Sequence, residues 1–158
     1  MNIYLLIIVA ALIIEYFLHT LSKILDLTNL STKLPNEFNG YYSDDEYVRS
    51  QEYLRTNTHF SYFTSAVDLI IILLVIFLGL FNTVDVWVRG FGFSPMISGL
   101  LFFGILFIIQ DIIGTPFSLY RTFIIEEKFG FNKTSPKTYI MDKIKGYFLL
   151  IVLGGIIL

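Results

Sequence analysis

Long apolar runs alternate with polar stretches along the chain, and this pattern predicts membrane helices. A span needs about 20 apolar residues to cross roughly 30 Å of hydrocarbon, and three runs reach that length: residues 3–21, 62–81 and 95–113. A fourth run, 147–158, is uncharged but would extend only about 18 Å. It either belongs to a helix that continues beyond residue 158, which is the favoured interpretation, or forms a re-entrant or interfacial segment. The pattern predicts an all-α, multi-pass integral membrane domain over residues 1–158, with three complete spans and the start of a fourth.

The composition agrees with a membrane location, so the lipid bilayer is the first expected partner. Of 158 residues, 55% are hydrophobic and 15% are charged, whereas roughly a quarter are charged in soluble domains. The net charge of −2 gives no reason to expect a nucleic-acid partner, and the absence of cysteine excludes disulfides and thiolate zinc sites within the chain. The first apolar run has no preceding basic residue and no convincing cleavage site, which predicts a retained membrane helix rather than a signal peptide.

The loops differ in their content of Lys and Arg, which accumulate on the cytoplasmic side of membrane proteins. The second loop, residues 82–94, has only Arg89. The first loop, residues 19–61, has four basic residues: Lys23, Lys33, Arg49 and Arg55. The third loop, residues 120–146, has six: Arg121, Lys128, Lys133, Lys137, Lys143 and Lys145. Loops one and three share a side if all three spans cross, so both are predicted to be cytoplasmic helical loops, with the amino terminus and the second loop outside.

Each loop also contains signals for local structure. The first is predicted to be an extended arm followed by a cytoplasmic helix that Ser43 caps. The second is predicted to be a turn formed by glycine and proline, with aromatic side chains at headgroup level: Trp87, Phe91 and Phe93. After the third span, the sequence Gly114-Thr115-Pro116 predicts a break or kink. A helix is then predicted to end at Gly130, and a new one to start with Ser135 as its cap and Pro136 at its first position.

Four polar residues lie inside the apolar runs, where such groups are costly and are candidates for function: Glu15, Asp68, Gln110 and Asp111. With the predicted orientation, all four fall in the cytoplasmic half of the membrane, which suggests a wet cavity open to the cytoplasm. Alternatively, each group lies near an interface and snorkels or caps a neighbour. Both interpretations stay open for Glu15 and Asp68, and the cavity is favoured for Gln110 and Asp111.

The segment "PFSLYRTFIIEEKFGFNKTSPKTYIMDKIKG" carries a family resemblance. It closely resembles the hallmark segment of the amino-terminal membrane domain of CAAX prenyl proteases, the zinc metalloproteases that trim prenylated proteins and peptides. The stretch "LPNEFNGYYSDDEYVRSQEYLRTNTHFSYF" is similar to that family's first cytoplasmic loop, so the resemblance covers nearly the whole chain. The matching elements of the first segment are Pro116-Phe117, Tyr120, Phe123, Ile125-Glu126-Glu127-Lys128, Gly130-Phe131-Asn132-Lys133, Asp142 and Lys145.

The resemblance implies a ring of membrane helices around a water-filled chamber, with a zinc domain on the cytoplasmic side that cleaves substrates reaching it. Catalysis in the family uses His-Glu-x-x-His, in which two imidazoles bind zinc and the glutamate activates water. The chain lacks this motif and has two histidines, His19 and His59. Glu15 and His19 are four residues apart, but two ligands do not make a zinc site. No catalytic residue, metal ligand or cofactor is therefore expected in this chain, and zinc is expected in the full-length family enzyme.

The main hypothesis is a non-catalytic membrane domain that shapes the chamber, helps to admit substrate and docks a C-terminal zinc peptidase domain. A prenylated or membrane-associated peptide is the substrate that this implies. The candidates for docking are polar residues of the turn after the third helix: Arg121, Glu126, Glu127, Lys128, Asn132 and Lys133. The alternative is a stand-alone membrane adaptor or lipid- or peptide-binding protein of the same fold. A small transporter is a third interpretation, which no repeat or pair of broken helices supports.

Overall fold

The computed structural model describes residues 2–31, 33–35, 40–41 and 43–157. This part of the chain is helical and contains no strand, so the predicted all-α class is confirmed. The chain divides into two compact units, Met1–Val86 and Trp87–Leu158. The elements are α1 (Ile3–Thr28), α2 (Asp44–Phe77), α3 (Leu80–Arg89), α4 (Pro95–Tyr120), a π-helical segment (Arg121–Glu126) and α5 (Pro136–Ile157).

Among the described residues, three helical stretches are long and apolar enough to cross a membrane: Ile3–Thr28, Asp44–Phe77 and Pro95–Glu126. Their number confirms the prediction of three spans: they contain residues 3–21 and 95–113, and the predicted span 62–81 extends four residues beyond the end of α2 at Phe77. No more than 6% of the most apolar window of any of them is buried within the structure. This outward-facing apolar surface suits contact with lipid tails or with further membrane helices.

The helix predicted in the first loop and the second predicted span form one continuous helix. α2 has 34 residues, so its length is about 50 Å. Because hydrocarbon is only about 30 Å thick, part of α2 must extend beyond it. No glycine or proline occurs between Asp44 and Phe77 to interrupt the helix. The extended arm predicted ahead of α2 includes residues 36–39 and 42, which lie outside the described residues.

Ser43 caps α2, as the sequence predicts. Its hydroxyl accepts a hydrogen bond from the Glu46 N–H at 3.2 Å, and the Glu46 carboxylate accepts one from the Ser43 N–H at 3.1 Å. These bonds from Ser43 lower the pKa of Glu46, which lies well ahead of the apolar part of α2, below its ordinary value of 4.5. Their contribution to stability is present above that ordinary pKa and is lost as the pH falls through the lowered value.

α1 and α2 pack against each other in the first unit. The Lys23 ammonium of α1 donates a hydrogen bond to the Ser61 hydroxyl of α2. α1 continues to Thr28, beyond the predicted boundary at residue 21, because no glycine or proline follows in that stretch. The additional turns of α1 bring Lys23 to the beginning of the apolar part of α2.

The second loop contains a helix that the turn prediction missed. α3 extends to Arg89 and carries apolar residues at a helical spacing, Leu80, Val84 and Val88, of which Val88 is 1% exposed. The predicted turn is confined to the few residues after it, where Gly92 has a φ of +70°. Ser94 then caps α4. The predicted interfacial aromatics form a row, with ring centroids 5.4 Å apart for Trp87 and Phe91 and 6.1 Å apart for Phe91 and Phe93.

Of the break or kink predicted at Gly114-Thr115-Pro116, the break is wrong, and the kink stays a prediction. α4 continues through Pro116 and is followed directly by the π-helical segment. Proline is tolerated within membrane helices although it removes one backbone hydrogen bond, here the one to the Ile112 carbonyl. The neighbouring Thr115 hydroxyl donates to the Asp111 carbonyl at 2.6 Å, and the wider π-helical turns begin at Arg121.

Replacing Ser43 by alanine tests the start of α2. Ser43→Ala removes the hydroxyl, which accepts from the Glu46 N–H and donates to the Glu46 carboxylate at 2.9 Å, a cap worth about 1 kcal/mol. Hydrogen exchange at the Glu46 and Tyr47 amides should therefore accelerate about fivefold, while exchange in the apolar half of α2 stays unchanged. Equal exchange rates in the variant and the parent protein would show that the cap does not hold this helix end.

Candidate functional site

The turn after α4 ends one helix with a Schellman motif. Gly130 has a φ of +75°, in the left-handed region that glycine adopts without steric cost. Its N–H donates to the Glu127 carbonyl at 3.0 Å, and the Phe131 N–H donates to the Glu126 carbonyl at 2.9 Å. This pair of bonds defines the motif and confirms the predicted helix end at Gly130. The two glutamates therefore contribute backbone acceptors as well as charged side chains.

Asn132 connects the two sides of this turn. Its Nδ2 donates to Glu127 Oε2 at 2.9 Å, and its Oδ1 accepts from the Thr134 N–H at 2.7 Å. Ser135 then caps α5 by accepting from the Thr138 N–H at 3.1 Å, as predicted. Two of the six docking candidates, Glu127 and Asn132, thus have a role inside the turn itself.

The apolar side chains of the turn form a buried inner pair and an exposed outer pair. Ile125 and Phe129 are buried, at 3% and 5% exposure. The outer apolar residues are Ile124 and Phe131, exposed at 53% and 47%. The inner pair anchors the turn to its own unit, and about half of each outer side chain is exposed.

The other four docking candidates differ in exposure and contacts. Lys128 is exposed, with its Nζ 5.1 Å from the centroid of the Phe129 ring. Arg121 begins the π-helical segment and is half-buried. Glu126 is half-buried and Lys133 is exposed, and their side chains form no hydrogen bond or ion pair with the described residues. The turn therefore carries exposed apolar side chains together with charges of both signs.

The four cavity candidates have different surroundings. Glu15 on α1 and Asp68 on α2 are exposed within the first unit, and Gln110 on α4 is exposed within the second. Asp111 is half-buried: its Oδ1 and Oδ2 accept hydrogen bonds from Lys143 Nζ of α5 at 2.8 and 2.6 Å. The Tyr147 hydroxyl also donates to Asp111. Sequence reasoning identified Asp111 but missed both partners, for which the four-residue spacing of Lys143 and Tyr147 was the available signal.

The described residues do not fit a zinc site. No group of three His, Cys, Asp or Glu side chains among them lies close enough to bind a metal ion together. His19 and His59 lie on α1 and α2, and two imidazoles alone fall short of the three protein ligands that catalytic zinc requires. No chemical step is assigned to this chain through a metal.

Comparisons with known proteins agree with this architecture. Residues 23–158 match the family described as the CAAX prenyl protease N-terminal region with five membrane helices. The crystal structure of S. mikatae Ste24p superimposes with a TM-score of 0.85 and 29% identity, covering 98% of this chain and 38% of that one. CAAX prenyl protease 1 of Saccharomyces cerevisiae is 32% identical over 139 residues, which cover 80% of this chain and 30% of the relative. The probable CAAX prenyl protease 1 of Schizosaccharomyces pombe is 34% identical over 143 residues, which cover 82% of this chain and 29% of the relative.

The fold is that of a helical membrane domain, and the chain belongs to the CAAX prenyl protease N-terminal family. The resemblance inferred from the sequence is thereby confirmed. The chain spans about a third of the length of the relatives that it matches: 30% and 29% of the two yeast proteases and 38% of Ste24p.

Replacing Gly130 by alanine tests the geometry of the turn. Gly130→Ala forces a Cβ into the left-handed region, at a cost of about 1–2 kcal/mol, and should lower the melting temperature of the full-length protein in detergent. Gly114→Ala is the matched control, because Gly114 is helical and an added Cβ meets nothing within 4 Å. There alanine should be neutral or stabilising. Equal melting temperatures for the two variants would contradict the assigned turn.

Proposed function

We propose that this chain is the membrane domain of a CAAX prenyl protease-like zinc metalloendopeptidase. It forms part of the substrate chamber and docks the catalytic domain, and it carries none of the catalytic residues itself. The observation that carries the proposal is the turn at 124–135. It is fixed internally by Gly130 and Asn132 and has exposed apolar side chains, Ile124 and Phe131, as well as charged groups. Family membership and the fold support this assignment.

The turn is suited to docking because its shape does not depend on a partner. Two backbone hydrogen bonds close the helix end, and the Asn132 side chain connects that end to the start of α5. A rigid surface loses little conformational freedom on binding. The exposed apolar pair would supply buried area, and Glu126 and Lys133 would supply charges that fix the orientation of the partner.

Zinc chemistry belongs in this proposal to the peptidase domain of the full-length protein. The substrate would be a prenylated or membrane-associated peptide, since the relatives are named for the prenylated CAAX proteins that they process. The described part of this chain would contribute membrane helices to the chamber wall, among whose polar residues Glu15, Asp68 and Gln110 remain candidates for contact with water.

The orientation is part of the proposal: the 124–135 turn faces the cytoplasm and the Trp87 row faces outward. Because the chain has no cysteine, single cysteines can report the side on which a residue lies. A cysteine at Phe91, which is 53% exposed, should react with an impermeant maleimide in intact cells. A cysteine at Lys137, which is exposed just after the turn and is not a docking candidate, should react only after permeabilisation. The reverse labelling pattern would contradict this orientation and the positive-inside argument behind it.

Charge reversal at the edge of the turn tests docking. Glu126→Lys and Lys133→Glu should each lower the proteolytic rate of the full-length protein about two- to fivefold, the effect expected from one exposed ion pair. Neither should change the melting temperature of the membrane helices, because the two side chains have no internal partner among the described residues.

The matched control is Glu52→Lys, the same change at an exposed position of α2, which should leave the rate unchanged. If the combined Glu126→Lys and Lys133→Glu variant cleaves substrate at the parental rate, the turn is not the docking surface.

A further inference from the structure

α4 and α5 face each other through one stripe of side chains on each helix. Asp111 of α4 meets Lys143 of α5, and four residues along each helix the rings of Phe107 and Tyr147 lie with centroids 6.3 Å apart. From the first contact to the second, the residue number decreases by four on α4 and increases by four on α5. The two helices therefore run antiparallel in a defined register.

A polar cluster lies at one point of this register. Lys143 Nζ is 2.8 and 2.6 Å from the two carboxylate oxygens of Asp111 and 2.5 Å from Thr115 Oγ1. The Tyr147 hydroxyl donates to Asp111 as well. The carboxylate thus faces a cation and a hydroxyl donor from α5, and the side chains of the ion pair are 27% and 29% exposed. A carboxylate within an apolar span is tolerated when it is paired in this way.

Beyond the polar cluster the two helices leave an apolar groove of about 770 Å³ between them. Its walls include Leu100 and Gly104 of α4, and Gly146, Leu150 and Gly154 of α5. A Cβ added to any of these three glycines would meet nothing within 4 Å. The glycines therefore do not mark a close approach of the backbones, and the contact between the helices is concentrated at the cluster.

We propose that Asp111, Lys143 and Tyr147 form an interhelical clasp that holds α5 against α4 and so maintains the groove beside it. Apolar side chains gain little from pairing in lipid, because lipid tails are as apolar as leucine. Polar contacts are then the interactions that favour this helix pair over its separation. Asp111 acts as a positioning residue for α5, and this role is independent of the docking proposed for the 124–135 turn.

Stability measurements on the full-length protein in detergent test the clasp. Asp111→Asn and Lys143→Met should each lower the melting temperature by several degrees, since each leaves the partner of a half-buried ion pair uncompensated. The double variant should lose clearly less than the sum of the two single losses. Lys145→Met is the matched control: Lys145 lies two residues from Lys143 on α5 and pairs with Asp142 of the same helix, with side chains 66% and 60% exposed. This change should have almost no effect.

A second readout is the distance between α4 and α5, which a general loss of stability would not change. Spin labels are placed on cysteines at Ile97 and Val152, on α4 and α5 away from the cluster. Lys143→Met should lengthen or broaden the distribution of distances between the labels, and Lys143→Arg, which keeps the charge and the donor, should preserve it. Additive losses of stability together with an unchanged distribution would overturn the clasp. If Asp111→Asn does not fold, the two Lys143 variants decide between these outcomes by the distance distribution alone.

Discussion

The N–H and C=O groups at a helix end need hydrogen-bond partners. In a chain as apolar as this one, the fold depends on how these groups are satisfied. The structure satisfies them with a small set of side chains at each connection. At the 124–135 turn, Gly130 allows two N–H groups to reach the carbonyls that end the first helix, and Ser135 starts α5. The change of direction between α4 and α5, and with it the pairing of these helices, depends on that closure.

Polar side chains within the apolar helices act under the same constraint. Asp111 would be costly in a membrane without a partner, and it obtains Lys143 and Tyr147 because the short connector returns α5 along α4 in one register. The closure of the turn and the ion pair therefore support each other. One sets where α5 begins, and the other sets how it lies against α4.

The sequence predicts the membrane spans and helix caps of this domain better than it predicts the connections between its helices. The apolar runs are long, and residues such as Ser43 and Gly130 act through neighbours a few positions away, so local pattern is sufficient to predict them. The continuity of α2 and the presence of α3 were missed, because a change from polar to apolar residues resembles an element boundary even where no residue interrupts the helix.

The candidate sites were predicted unevenly for a related reason. The polar turn was identified from its composition, but the bond from Asn132 to Glu127 depends on the geometry of the closed helix end. Asp111 was recognised as an unusual charge in a span, whereas Lys143 is 32 residues away in sequence. Which basic residue meets it depends on the length of the turn and the register of the two helices, and neither follows from the periodicity of a single helix.

The central claim is that this membrane domain is non-catalytic and docks a peptidase part. Separating the two parts of the full-length protein tests this claim most directly. Residues 1–158 and the peptidase part that the proposal assigns to the full-length protein would be produced as two pieces, reconstituted together or singly in lipid vesicles, and assayed for cleavage of a farnesylated peptide. A non-catalytic membrane domain that docks the peptidase part predicts cleavage only when both pieces are present. Cleavage by the peptidase part alone at the rate of the intact protein, or by residues 1–158 alone, would contradict it.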